Sequence, residues 1–376
     1  MKKIGIFIFV ILLFTQGVCA ADINSQLSEE VKDELSDFNN SLPPSVQNFI
    51  GTDVLNGDFD ALLGDKISEK SFLELISNYL LFGIDSVLKS FASILALLIV
   101  LALFNSLTSS ENNTLHNVFS VSSTLSISLT VFGVCAALAQ TTCEFMQTLC
   151  NVSTSFLPLM ITIMTLNGNI SGAIVTNGSM ILFIRIVEEF LLKFLLPIVY
   201  MCLAFGCVKA LNTSIDISGI TKTVKTVFTS VTVFAMSIFM FVLSYKSLLS
   251  QSADSLKIKT ARFAIGSLVP LVGASVNDSL KTLSSGLSLL KTSCGTIAVI
   301  AIAVITLPVI INLFLYKISF SLLSIISGAI GGSGEKSVLE EADSICTFLL
   351  TLAVCTSVLF IFGITIFIKT GTEMAL

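Results

Sequence analysis

The sequence predicts an all-α protein: a polytopic membrane helix bundle of about seven spans, with a cleavable signal peptide and a small external helical N-terminal region. Three observations predict it. Of 376 residues, 54% are hydrophobic and 12% charged, where a soluble domain carries about 25% charge, and the mean hydropathy is +0.94. Apolar segments near the roughly 20 residues needed to cross a bilayer recur along the chain. The charges gather in a few patches, so the net charge of −5 says little about partners.

Residues 1–21 read as a secretory signal. Lys2 and Lys3 form the positive region, Ile4 to Phe14 the apolar region, and Val18-Cys19-Ala20 the small-residue cleavage site. Gln16-Gly17-Val18 before Cys19 is a poor match to a lipoprotein signal. The alternative is an uncleaved first membrane helix, for which the apolar run is short. Residues 22–78 have soluble composition. Leu27, Val31 and Leu35 recur at helical spacing, Pro43-Pro44 ends that helix, and a second amphipathic stretch starts near Ser71. The region is too small to bury a core alone, so its apolar stripes are expected to rest on the membrane portion or on a partner. Behind a signal peptide, it lies outside the cytoplasm.

The membrane domain, 79–376, holds apolar segments near 88–108, 118–140, 154–175, 180–208, 226–249, 294–326 and 345–369. The third is interrupted by Asn167, Gly168, Asn169 and Gly172. With the second it also reads as a broken or re-entrant pair, which membrane depth tolerates only inside protein or beside water. Lys246, Lys257, Lys259 and Arg262, with Asp254 the one acid among them, place the loop after the fifth segment in the cytoplasm. Glu335, Glu340, Glu341 and Asp343 against Lys336 place the next loop outside. The C-terminus after Lys369 is then cytoplasmic. Lys209, Lys222 and Lys225 conflict with this topology, because it turns them outward.

The charge cluster to examine is Arg185, Glu188, Glu189 and Lys193, within the fourth apolar segment. Spacing of i, i+4 puts Arg185, Glu189 and Lys193 on one helix face, with Glu188 beside Arg185. A lone charge at the bilayer centre costs at least about 2.5–3.5 kcal/mol. Four together must neutralise one another, face a water-filled path, or sit between helices. The functional reading is a polar lining or a subunit contact; the structural one is a self-paired cluster near an interface. Pro197 and Pro308 interrupt apolar helices, as do Gly206 and Gly363. Such breaks mark binding sites in some transporters, although a packing role is commoner.

Catalysis finds little support. Nine cysteines without a Cys-x-x-Cys pair and a single histidine, His116, do not suggest a zinc site. Gly328 to Ser337 lacks the glycine directly before lysine that a phosphate-binding loop needs. No cofactor, metal or nucleic acid is expected, and no basic face suggests one. Cys143 and Cys150 are candidates to pair if an external loop carries them.

One stretch is more specific. Lys257 precedes Lys259-Thr260-Ala261-Arg262-Phe263, followed by Gly266, Pro270, Val272-Gly273 and Asn277-Asp278-Ser279, with Leu307-Pro308 in the next segment. This motif at 259–280, between spans and behind a signal and a modest external region, resembles the stage III sporulation protein AE family. The resemblance implies a component of the mother-cell complex of endospore formation, located in the mother-cell-derived membrane around the forespore. It implies a hetero-oligomer with other stage III sporulation membrane proteins, meeting a forespore partner across the intermembrane space. The implied role is a permease-like or platform subunit of a channel or feeding apparatus; the alternative is a scaffold that recruits partners without forming a path. Gly266 and Gly273 would permit close backbone approach and Pro270 would break the helix. The other reading of this stretch is an interfacial helix with its cations at the headgroups.

Overall fold

The structure, a computed structural model, describes residues 29–50, 69–108, 113–167, 169–211, 218–268, 273–330 and 332–369, the side chains of 29, 69–73, 75, 82, 105, 107–108, 113–117 (His116 among them), 218 and 247–286 excepted. Residues 1–21, expected to be a signal peptide, and Leu27 and Pro270 lie outside the described residues. The elements are α1 (Glu29–Ser41), α2 (Pro44–Ile50), α3 (Glu69–Thr108), α4 (Asn113–Leu166), α5 (Ile170–Ile186), a π-helical segment (Val187–Leu192), α6 (Lys193–Leu211), α7 (Ser218–Leu268), α8 (Gly273–Ile330) and α9 (Ser333–Lys369). No strand occurs among the described residues.

Six helical rods are long and apolar enough to cross a membrane: Ile76–Phe104, Val118–Leu166, Ile170–Leu211, Gly219–Lys246, Leu287–Ile330 and Ser333–Lys369. The difference from seven lies in α4. The expected second and third segments are largely one helix of 54 residues, about 80 Å long at the α-helical rise. Its middle is polar on one side only. Gln140, Glu144, Gln147 and Asn151 are exposed, while Phe145, Met146, Leu149, Cys150 and Val152 are buried. A hydropathy average over both faces falls there and imitates a loop.

The chain reverses instead at Asn167–Asn169. Asn167 N–H donates to Ile163 (3.1 Å) and Asn169 N–H to Met164 (2.9 Å). The Asn169 side chain accepts from Gly172 N–H (3.1 Å), which caps α5. A Cβ at Gly172 would run into that Asn169 amide. Of the residues that weakened the third segment as a span, Asn167, Asn169 and Gly172 thus end α4 and begin α5.

Helix α9 is the centre of the bundle, packed by α8, α4, α6 and α7. Its buried face includes Ala342, Leu349, Ala353, Thr356, Ser357, Phe360 and Phe367. Small residues matter here, because lipid is as apolar as leucine and close packing drives helix association. Ser123 to Glu335 at one end and Phe156 to Phe367 (6.4 Å) at the other make α4 and α9 parallel. Thr306 to Ser357 (2.9 Å) and Lys317 to Asp343 (3.0 Å) make α8 antiparallel to α9. The π-segment rod ends, and α7 begins, beside Glu341. Ser90 and Tyr316 (3.2 Å) tie α3 to α8.

The N-terminal helices rest on this body. Val31, Leu35 and Phe38 are buried, α1 packs on α4, and Phe38 meets Phe156 at 5.5 Å. Pro44 opens α2, where a missing N–H costs nothing, and α2 lies on α8. Phe156 also meets Phe367, so α1 sits at the end where α9 finishes and the α7–α8 hairpin turns. An external N-terminal region and a cytoplasmic basic loop were expected on opposite sides. In a six-rod bundle they lie at the same end.

The family motif and the prolines take these places in the fold. The 259–280 stretch is shared between the end of α7 and the start of α8, with Pro270 outside the described residues. Lys257, Lys259, Arg262, Phe263 and Gly266 continue α7 to Leu268, and Gly273, Asn277 and Asp278 form the first turns of α8. Pro197 and Pro308 do not break their helices; α6 and α8 run through them, as α4 runs through Pro158. Neighbouring groups take up the backbone that a proline disrupts.

Candidate functional site

Polar groups collect in two places, inside the first turns of α9 and on the flank made by α4 and α5. In the interior set, each acid of α9 is held by a different helix. Glu335 accepts from Ser123 of α4 at 2.6 Å, both buried. Glu341 accepts from Lys225 of α7 at 2.6 Å, with the side chains only 14% and 8% exposed. The same ammonium donates to Ser344 (2.7 Å), and Thr221 reaches the second Glu341 oxygen (3.4 Å). Asp343 takes both its oxygens to Lys317 of α8 (3.0 and 3.1 Å), which also donates to Thr347 (2.7 Å).

Glycines admit this network. A Cβ on Gly206 would lie 2.9 Å from Cγ of Glu341, and one on Gly334 would lie 2.6 Å from the Thr124 hydroxyl and 2.9 Å from the Ala210 carbonyl. Three of the four acids first read as an external loop, Glu335, Glu341 and Asp343, therefore form an inter-helix hub, while the exposed Glu340 faces Lys336 of its own helix at 3.7 Å. Lys225, which conflicted with the charge-based topology, is neutralised inside the bundle and does not count as a loop cation. Sequence reasoning missed the hub. The available signal was the row Thr221, Lys225, Phe228 and Thr232 at helical spacing, all buried.

The flank holds the cluster found from sequence, and it is not buried within the chain. Arg185 and Lys193 are 72% and 67% exposed, Glu189 63%, and Glu188 24%. Arg185 pairs with Glu188 (3.2 Å) and Glu189 with Lys193 (2.5 Å). Between the two pairs runs the π-helical segment Val187–Leu192, a wider turn often found at functional positions. α4 packs against it and against α5, and Glu188 bears electrostatically on Cys150. Gln140 to Glu144 (3.1 Å) and Gln147 to Asn151 (3.2 Å) extend the polar surface along α4.

The height of this flank is fixed by ring contacts. Phe183 stacks on Phe239 and Phe190 on Phe228, both at 5.3 Å. Residues 228–239 of α7 are thus level with 183–190, and there α7 exposes Val231, Val233, Phe234 and Ile238. At one height the bundle shows hydrocarbon on one side and charge on another.

Cys143 and Cys150, candidates for pairing, are free. Seven residues apart on one helix, they stand about 10 Å apart along the axis, beyond disulfide reach. No group of His, Cys, Asp and Glu fit to hold a metal occurs among the described residues.

A family model described as stage III sporulation protein AE matches residues 59–371. The stage III sporulation protein AE of Bacillus subtilis (strain 168) is 21% identical over 233 residues, 61% of this chain and 57% of the relative. The chain thus aligns with little more than half the length of that relative. No solved structure matches. With a match across the whole α3–α9 bundle, the chain belongs to the stage III sporulation protein AE family.

Proposed function

We propose that this sporulation protein is the permease-like or platform subunit of a channel assembled between mother cell and forespore. In this reading it acts with other stage III membrane proteins and a forespore partner across the intermembrane space. One observation supports the role above all: the flank of Glu144, Gln147, Arg185, Glu189 and Lys193 stands level with the apolar face of α7. Charges at such a height are not left against lipid. In an assembled ring or pair of subunits, this flank faces a water-filled path.

Single cysteines at Gln147, Glu189 and Phe234, on a background without the partly exposed native cysteines, test the proposal in sporulating cells. A membrane-impermeant maleimide should label the first two and leave position 234 unlabelled. Protection of all three in the assembled complex would defeat the channel reading. It would favour the scaffold, in which the same mixed-sign flank is a dry contact with a partner subunit.

A further inference from the structure

A groove of about 790 Å³ runs between α5 and α7. Its walls are apolar, among them Ile174, Leu182, Ile238 and Val242, and Gly178 and Ala235 supply small side chains. From Ser171 to Ile186 it follows α5 for roughly 22 Å, against about 15 Å for one leaflet of the hydrocarbon core. Lys246, a cation, closes the lining at one end. A few residues beyond it, after Leu248 and Leu249, the apolar sequence of α7 gives way to Ser250-Gln251-Ser252 and Asp254. Lys246 is exposed and makes no ion pair among the described residues. Beside it Tyr245 is 57% exposed, as expected of an aromatic with a polar tip at the membrane–water boundary.

We infer that this groove is a binding site for an anionic phospholipid, with one acyl chain along α5 and the headgroup phosphate on Lys246. The groove is long enough to take an acyl chain across one leaflet. The one cation in its lining stands just before the apolar sequence of α7 gives way to Ser250-Gln251-Ser252. An apolar partner helix would leave Lys246 without a counter-charge; an anionic lipid supplies one. The lining includes none of the charged residues of the polar flank, and the inference does not depend on whether that flank lines a channel.

Nanodiscs of phosphatidylcholine with and without phosphatidylglycerol, read by native mass spectrometry and by thermal denaturation, test the inference with the full chain. Wild type should retain phosphatidylglycerol over phosphatidylcholine of the same chain length and melt higher in its presence. Lys246→Glu should weaken retention roughly tenfold or more, the scale of one charge-assisted contact, while Lys246→Arg keeps it. Gly178→Leu fills the groove from a position whose Cβ meets nothing within 4 Å, so it should expel the chain without unfolding the bundle. Equal retention of both lipids, or wild-type retention in both Lys246→Glu and Gly178→Leu, would overturn the site. So would protection by added inorganic phosphate alone, which would make the lysine a simple anion contact.

Discussion

At the scale of the residue, Lys225 and Glu341 carry the most consequence. Two charges removed from solvent in a helix bundle hold their place only through each other. Glu341→Ala leaves an ammonium that is 8% exposed and still donates to Ser344, and should cost about 3–5 kcal/mol. The double change Lys225→Met with Glu341→Leu keeps the volume and removes both charges. It should be near neutral or stabilising in the same melting experiment in detergent. If the double variant melts as low as the single one, the pair is not what holds α7 to α9. Gly206→Val gives an independent reading, since its Cβ would start 2.9 Å from Glu341. The sequence made these charges visible but not their partnership, because the partners are separated by more than a hundred residues. Arg185, Glu188, Glu189 and Lys193 were legible for the opposite reason: all four fall within nine positions, where helical spacing alone pairs them.

At the scale of the element, the sequence was clearest about helices and least clear about where they turn. A seven-segment reading follows from hydropathy, and it fails at α4, where Gln140, Glu144, Gln147 and Asn151 interrupt one face without interrupting the helix. The turn that replaces the false loop depends on Asn169. Asn169→Ala removes the side-chain acceptor from Gly172 N–H and should cost about 1 kcal/mol, while Asn169→Gly should cost only a few tenths. Equal melting temperatures for wild type and both variants would show that the cap does not hold the turn. The same element explains why Cys143 and Cys150 do not pair. It also explains why a proline reads poorly as a break: Pro158, Pro197 and Pro308 each sit inside a helix that continues.

At the scale of the whole molecule, the count of rods decides what lies on which side. With seven crossings, a region behind the signal and a basic loop fall on opposite sides. With six, α1, the α7–α8 hairpin and the end of α9 share one, as the chain of contacts from Phe38 through Phe156 to Phe367 requires. The charges favour the cytoplasm for that end. Lys246, Lys257, Lys259, Arg262 and Lys369 belong to it, while at the other end Lys225 and Lys317 are already paired with Glu341 and Asp343 and Lys209 and Lys222 weigh against that placement. A signal peptide argues the reverse, since it would export α1. Single cysteines at Pro43, Asp254 and Lys369 of the full-length chain, labelled from outside in protoplasts, separate the two forces. All three should respond alike, and a cysteine at Asn112 or Asn212 should respond in the opposite sense. If Pro43 is labelled while Asp254 is protected, α1 cannot rest on Phe156 in the membrane-embedded protein. If all three are labelled together, the bundle stands and the lysines, not the signal, have been overruled.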